Sequence, residues 1–518
     1  MSFTVPPHDT STPTWRQSQR DHLTEICDTI SQLDCDFHSD VPEFLDADRR
    51  RIMAVVSSFS YDVTTIPVEI ISRIFVHCLP TDGRVRPSPH RAPLLLAQIC
   101  RRWREIALGT VQLWCSFDFT LQSTPTPNGR TRRAPMVREP SHAGMCALHR
   151  AWCHRANGYP LSVTLRCSIR RYGLPTDFLI TVATFAPQWE RMELALPNFL
   201  SSAPDIARFA ARIGGPFPAL STLALSIGNL PYVIEQTLGM YQNLPQLRDF
   251  RLSYGLALSR VPIGGAPLTS LELQTEVSLG DCNATLQRFP SLLHLGLLHI
   301  DFDLPTASDL GPLPPLKSLT LDIGGCRFLA LVTLPHLRHL NYSIYAGDDI
   351  DTLVAFLGRS ACSLTHLALR IHTVIEDLFL LQCLQLLPLL EDLHIEYRHG
   401  GARTLCNHLQ SLDIVPQLRT LSFSELAPYG YTYPPLVQML QARRRVRTAS
   451  AGAQRLSSFD LGLAFSKGML PYRPDAEKLR RLVEGGLRLR IHGPGFECPE
   501  GQYIDEQLEF PRPHPSVA

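Results

Sequence analysis

The densest group of chemically capable side chains lies within one short stretch that is predicted to be helical. Its members are Cys146, His149, Cys153 and His154. Several of them would share one side of a helix, and thiolate and imidazole groups are the ligands that zinc prefers. Because no second ligand pair lies nearby, buried thiols and ordinary histidines are the favoured interpretation.

Motifs for phosphate binding or for an activated nucleophile are absent from the sequence. It contains no Cys-x-x-Cys pair, no Gly-x-x-x-x-Gly-Lys-Ser/Thr loop and no Gly-x-Ser-x-Gly turn. Histidines and aspartates at predicted strand positions leave one alternative open, a hydrolase, but no serine or cysteine with a paired base accompanies them. We therefore expect a protein that is not an enzyme, with no catalytic residues, no metal site and no cofactor.

The bulk composition indicates a large folded protein with nearly balanced positive and negative charges. The 518 residues are 44% apolar, enough for an extensive core, and the formal net charge is only +1. Proteins that bind nucleic acid or anionic membranes usually carry a clear basic excess, so we expect neither partner. Without a secretory signal or an apolar stretch long enough to span a bilayer, the expected location is the cytoplasm or nucleus, with reduced cysteines.

A template of the form Leu-x-x-Leu-x-Leu recurs through residues 190–490. It occurs unchanged from Leu220, Leu268, Leu292, Leu316 and Leu364, and with one apolar replacement from Leu247, Leu337, Leu390, Leu418 and Leu456. Most successive starts lie 21 to 28 residues apart. Because one such unit cannot bury its apolar side chains alone, the pattern predicts a stack of units with a continuous core and one strand in each unit.

Alternation along each strand divides its side chains between two faces of the sheet. We expect Leu319 and Leu321 to point into the core and Thr320 to point to the open face. The predicted open-face binding residues are Arg251, Glu272, Asp322, His339, His366, Arg370 and His394. Such a mixed, charge-balanced face suits a protein partner better than nucleic acid; the alternative is a solvated sheet without a ligand.

Residues 65–114 predict a small helical unit with spare apolar surface. Isoleucines recur at helical spacing after a proline that suits a first helical turn, and a second apolar run leads to two tryptophans. A unit of this size cannot bury all its apolar side chains, so we expect some of them to face a partner.

This stretch resembles an F-box, in the version found in fungal F-box/leucine-rich-repeat proteins. The residues that carry the resemblance are Ile66-Pro67-x-Glu69-Ile70, Ile74-Phe75, Leu79, Cys100-Arg101-Arg102-Trp103-Arg104 and Leu113-Trp114. Ile66 stands where the family usually has leucine. The recurring template resembles leucine-rich repeats, but it lacks the asparagine that usually follows, so we expect irregular curvature and uneven stacking.

The resemblance implies an α/β protein in which an N-terminal helical F-box is followed by an irregular leucine-rich-repeat solenoid, or horseshoe. It implies a substrate-recognition adaptor whose F-box docks to the Skp-type adaptor of a cullin–RING ubiquitin ligase and whose repeat arc binds a protein substrate of unknown identity. The implied docking residues are Ile66, Pro67, Ile70, Ile74, Leu96 and Trp103. The alternative is a leucine-rich-repeat interaction scaffold with no link to ubiquitin.

Composition and resemblance together divide the chain into five segments. They are an N-terminal tail with amphipathic helices (1–60), the F-box domain (61–120), a flexible linker rich in proline, threonine and arginine (121–144), the solenoid (145–500) and a C-terminal tail (501–518). Within the solenoid, the basic run at residues 442–450 predicts an exposed insertion.

Overall fold

The computed structural model describes residues 66–121, 142–167, 176–196, 217–227, 244–253, 266–300, 313–373, 377–397, 402–426, 433–445, 454–463, 473–493 and 496–498. The expected N-terminal helices, most of the expected linker and the C-terminal tail lie outside these ranges. The chain divides into two units, Met1–Ile71 and Ser72–Ala518, and residues 66–71 are all that is described of the first. Within the described part, the fold is α/β and is built on one open sheet, as predicted.

Fifteen described strands follow one another across the sheet in chain order, and all neighbours are parallel except the last pair. They are β1 Ser116–Leu121, β2 Leu161–Cys167, β3 Trp189–Leu196, β4 Thr222–Ile227, β5 Asp249–Ser253, β6 Ser270–Val277, β7 His294–Ile300, β8 Ser318–Ile323, β9 His339–Ile344, β10 His366–Ile371, β11 Asp392–Tyr397, β12 Thr420–Leu426, β13 Ser458–Leu463, β14 Arg488–Gly493 and β15 Phe496–Cys498.

Helices supply most of the described crossovers that parallel strands require. They are α1 Val68–His77, α2 Leu96–Ile99, α3 Arg101–Gly109, α4 His142–Arg155, α5 Thr176–Ala183, α6 Leu279–Arg288, α7 Gly325–Leu331, α8 Asp348–Ser360, α9 Asp377–Gln385, α10 Arg403–His408, α11 Tyr433–Arg444 and α12 Arg473–Glu484. A short 3₁₀ helix, Val111–Trp114, precedes β1. The helices from α7 to α12 form a layer in which each helix contacts the next one along the chain.

The recurring template places the core. Each template start is followed by a strand, and the fourth and sixth template residues pack inward while the residues between them face outward. Leu319 and Leu321 are 0% and 1% exposed, whereas Thr320 between them is partly exposed. The predicted strand register is therefore confirmed at this position. In the strands that carry the template, the third, fifth and seventh template residues are partly or fully exposed, apart from the buried Gly296, Ser343 and Gly462.

The strand register is irregular at two places within the recurring template and at one place before it. The strand register shifts between β2 and β3, between β6 and β7, and between β12 and β13. After β8, Gly324 turns the chain with a φ of 76° where a Cβ atom would lie 2.5 Å from the carbonyl oxygen of Ile300. Only glycine fits a turn with that φ and that approach.

The helical segment α3 and the strand β1 share one core. The Trp114 ring meets the Trp152 ring edge-on at 4.8 Å, and the Arg155 guanidinium lies 4.5 Å from the Trp114 ring centre. The Trp114 indole N–H donates to the carbonyl oxygen of Ala107, and the Trp152 indole N–H donates to that of Ser116, both at 2.9 Å. Because β1 lies within the range predicted for the F-box domain, the sheet begins before the expected linker.

The loop between α1 and α2 also contacts the first strands of the sheet. Arg84, Val85 and Arg86, which we call the strap, lie against the first strands. The backbone N–H of Asp118 donates to the Val85 carbonyl oxygen at 2.8 Å. Arg86 pairs with the buried Asp118 carboxylate at 3.0 Å, and Arg84 pairs with Glu193 of β3 at 3.1 Å. The strap therefore covers the edge of β1, which would otherwise expose unpaired backbone groups.

The prediction that the basic run at residues 442–450 is an exposed insertion is wrong at its first residues. Helix α11 extends through Arg444, and the Arg443 side chain is completely buried. Its guanidinium donates to the carbonyl oxygens of Leu409, Ser411, Ile414 and Val415 at 2.5–3.0 Å. Burial lowers the pKa of Arg443 to about 10. Residues 446–450 lie outside the described ranges.

Helix α4 confirms the helix predicted here, and its packing shows the role of His149. His149 is completely buried among the rings of Phe117, Phe178 and Phe185, with its Nε2 atom 3.4 Å from the Cys153 Sγ atom. Burial lowers the pKa of His149 to about 4, because an apolar surrounding disfavours the imidazolium. The residue therefore belongs to the core in its neutral form.

His149 makes the fold sensitive to acid. The unfolded chain takes up a proton near pH 6.5, and the folded protein resists protonation down to about pH 4. The free energy of unfolding is therefore expected to fall by up to about 3 kcal/mol across that interval. Denaturant unfolding at several pH values should show a flatter acid profile in His149→Leu. A profile in His149→Leu as steep as that of the exposed control His336→Gln would contradict this account.

Candidate functional site

The first candidate surface lies on the helices before the sheet. Helix α1 begins after Pro67, whose carbonyl oxygen accepts the N–H groups of Ile70 and Ile71 at 3.1 Å. Ile70 and Ile74, four residues apart and hence on one helix face, are 51% and 47% exposed. Pro67 is exposed and Ile66 is partly exposed. The predicted docking residues on this helix are therefore accessible.

The structure corrects one predicted docking residue, which lies in α2. Leu96 is only 5% exposed, so its side chain is not available to a partner. Its neighbours Leu95 and Ile99 are 42% and 53% exposed and supply the apolar surface of this helix. Trp103 is partly exposed, and its ring lies 4.9 Å from that of the buried Phe75. Leu95 and Ile99 were missed because a single helical turn has no periodicity that could fix its outward face.

The second candidate surface is a pocket on the open face of the sheet. It has a volume of about 240 Å³ and spans β8 to β12. Its principal side chains are His339, Asn341, His366, Ala368, Asp392 and His394. Asn341, Ala368 and His394 are the fifth template residues of adjacent strands and lie in register. Alignment of the templates alone puts the small Ala368 between two longer side chains, and that is the signal from which the pocket could have been found.

Contacts around His366 hold its ring in a fixed orientation. The Nε2 atom lies 2.6 Å from the Asp392 Oδ2 atom, and the Nδ1 atom lies 2.8 Å from the Thr365 Oγ1 atom. The Thr365 hydroxyl also donates to the carbonyl oxygen of Arg338 at 3.3 Å. The His339 ring lies 4.2 Å from the His366 ring, centre to centre. One wall of the pocket is therefore a pair of imidazoles anchored to a carboxylate.

Two histidines of the pocket favour the neutral form. Burial is the main cause that lowers the pKa of His339, and the neighbouring His366, His294 and Arg338 lower it further. Burial also lowers the pKa of His394, although Glu396 and Asp460 act in the opposite direction. An imidazole in this state offers one donor and one acceptor, so these two side chains contribute little fixed charge to the pocket.

The remaining predicted open-face residues lie elsewhere on the sheet. Arg251 contacts Asp249 at 3.3 Å and Glu272 at 3.7 Å, four to six strands from the pocket histidines. Arg370 pairs with Glu396 at 3.3 Å, and the Asp322 carboxylate accepts from the Tyr345 hydroxyl at 2.6 Å. The seven predicted residues therefore share one face, but only His339, His366 and His394 line the same pocket.

Metal binding finds no support in the part of the chain that the structure describes, where no three His, Cys, Asp or Glu side chains converge on a position for a metal ion. Of the four residues considered for zinc, His149 and Cys153 contact each other within the aromatic core. Among the described helices, none combines the length and apolar character needed to cross a membrane.

No protein-family model matches the chain, and no curated protein matches it at a significant level.

Proposed function

We propose that this protein is a substrate-recognition adaptor of a ubiquitin ligase, with α1 and α2 as an F-box that docks to a Skp-type adaptor and the sheet as an irregular leucine-rich-repeat solenoid. The observation that carries the proposal is the exposure of Ile70, Ile74, Leu95 and Ile99, four large aliphatic side chains on two helices where the sequence resembles an F-box. Contiguous exposed apolar surface marks interaction sites, and Ile70 and Ile74 lie on one face of α1.

The proposed mechanism is proximity. A cullin–RING ligase bound through the helices and a substrate bound on the open face would be held in one complex, which raises the effective concentration of substrate lysines near the ligase. The open face suits a protein partner because its described side chains mix both charges with polar groups, whereas nucleic-acid binding depends on a basic excess. The protein itself needs no catalytic group for this role.

Co-purification with a Skp-type adaptor tests the docking proposal. Pro67→Ala combined with Ile70→Ala should lower adaptor capture by at least about tenfold, because truncated apolar anchors in an interface commonly cost about 1–2 kcal/mol each. Thermal unfolding should change little, since both side chains are exposed. Leu386→Ala combined with Leu389→Ala is the matched control, with side chains 44% and 50% exposed near the end of α9. Equal capture by wild type and the α1 variant would refute the docking assignment.

The alternative is a repeat scaffold with no link to ubiquitin. It predicts that the helices bind another partner or none, so adaptor capture would fail in the wild type as well. Affinity purification with and without proteasome inhibition, read by mass spectrometry, separates the two, because substrates of a ligase accumulate on the receptor when degradation is blocked.

A further inference from the structure

The pocket over Ala368 has the size of a site for one side chain. Its volume of about 240 Å³ is below the roughly 300–1,000 Å³ of typical small-molecule sites. The depression exists because the Ala368 methyl group lies between Asn341 on β9 and His394 on β11. A protruding residue of a bound chain would therefore enter here, while the polar side chains around it contact the neighbouring backbone.

One end of the pocket lies at His339, near the first residues of the strands, and this end favours a negatively charged occupant. Besides burial, the charged or titratable groups that lower the pKa of His339 are His366 on β10, His294 on β7 and Arg338 next to it, whereas a hydrogen bond to the Lys317 backbone raises it. Ser318 on β8 pairs with His339, and the exposed Lys317 directly precedes that strand. Asp392 is the nearest carboxylate lining the pocket, and it is engaged by the His366 ring at 2.6 Å. An entering anion would therefore meet imidazole and polar groups near Arg338, and the carboxylate of Asp392 is held by His366.

The opposite end of the pocket carries groups of both charges. Glu396 is 18% exposed and is paired with Arg370 at 3.3 Å, and Glu396 and Asp460 both raise the pKa of His394 while Arg370 lowers it. The preference for an anion is therefore confined to the end at His339, where charge complementarity selects an anionic occupant.

We propose that the pocket over Ala368 binds one anionic side chain of the protein substrate, a carboxylate or a phosphorylated hydroxyl, and that His339 takes up a proton when this side chain binds. The inference rests on the proposed function only in taking the open face as the substrate-binding surface. A nearby negative charge favours the imidazolium, so His339 is neutral in the empty pocket and charged in the complex. Affinity should therefore rise as the pH falls.

Peptide libraries with one fixed central residue test the proposal. Random peptides with glutamate, phosphoserine, lysine or alanine at the centre are presented to the full-length protein at about pH 8 and about pH 6. Capture of the glutamate or phosphoserine library should exceed that of the alanine library by at least about tenfold, the usual effect of one hydrogen bond to a charged group. The ratio of the two anionic libraries identifies the carboxylate or the phosphate as the natural feature.

The glutamate library also measures the proton uptake. Its side chain stays ionised over this interval, whereas phosphoserine itself titrates near pH 6. Capture should strengthen by at most about tenfold for each pH unit, the limit for one proton taken up on binding. His339→Lys, which keeps the positive charge at every pH, should retain the preference for glutamate and lose its pH dependence. His339→Gln should lose both.

Filling the pocket supplies a matched pair of variants. Ala368→Leu should abolish the preference for anions, and Ala224→Leu, at the same template position on β4, should leave it unchanged. Both alanines are partly exposed on the open face, so neither change should unfold the sheet. Retained glutamate capture in Ala368→Leu, a preference for lysine, or no capture of any library by the wild type would overturn the inference.

Adaptor capture on the same preparations keeps this inference separate from the proposed function. Loss of adaptor capture with an intact glutamate preference would remove the ligase role and leave the anion pocket standing. Intact adaptor capture without any preference for glutamate or phosphoserine would remove the pocket and leave the ligase role standing.

Discussion

Replacing Arg443 with methionine is expected to lower the free energy of unfolding by about 4 kcal/mol or more. The methionine keeps most of the apolar stem but removes the donors that reach four carbonyl oxygens of the turn after α10. Each buried acceptor left without a partner costs about 1–3 kcal/mol. Denaturant unfolding measures the loss. Arg443→Lys should restore only part of it, because an ammonium cannot reproduce the planar fork of the guanidinium.

The neighbouring Arg445 supplies the control for this prediction. It lies at the end of α11 and is exposed, so Arg445→Met should change the free energy of unfolding by no more than about 0.5 kcal/mol. If Arg443→Met were as stable as Arg445→Met, water or backbone rearrangement would have to satisfy the four carbonyl oxygens, and the anchoring role of Arg443 would be wrong.

The second large effect is expected at the inward leucines of β8. Leu319→Ala and Leu321→Ala should each cost about 2–5 kcal/mol, through lost burial and a residual cavity, because both side chains are almost completely inaccessible. Thr320→Ala, on the open face between them, should cost no more than about 0.5 kcal/mol. Thermal or denaturant unfolding of the three variants compares them directly. A larger loss for Thr320→Ala would mean that the strand faces are inverted, and the open-face residues with them.

The positions of the strands could be predicted from the sequence because the template carries its own register. Leucines at the first, fourth and sixth positions leave one way to place a strand with two inward side chains, and Leu319 and Leu321 are buried accordingly. The template also puts His339, His366 and His394 on the open face. That they line one pocket depends on the small Ala368, which lies on β10 with His366 and between the strands of His339 and His394. This is visible only when neighbouring repeats are compared.

Arg443 and Leu96 show what the sequence pattern does not contain. Three consecutive arginines are typical of a solvated segment, and nothing in their spacing reveals that a turn about thirty residues earlier lacks donors for its carbonyl oxygens. Leu96 lies in a four-residue helix, too short for periodicity to separate its buried face from its exposed one. Both outcomes depend on contacts between distant parts of the chain.

The strap and the Trp114–Trp152 contact fix the helical segment before β1 against the first strands of the sheet. The covalent path from β1 to α4 runs through residues 122–141. Trp114 of the 3₁₀ helix nevertheless packs on Trp152 of α4 and donates to Ala107 of α3, and the strap adds ion pairs to β1 and β3. Lengthening that path would leave the angle between α3 and the sheet unchanged.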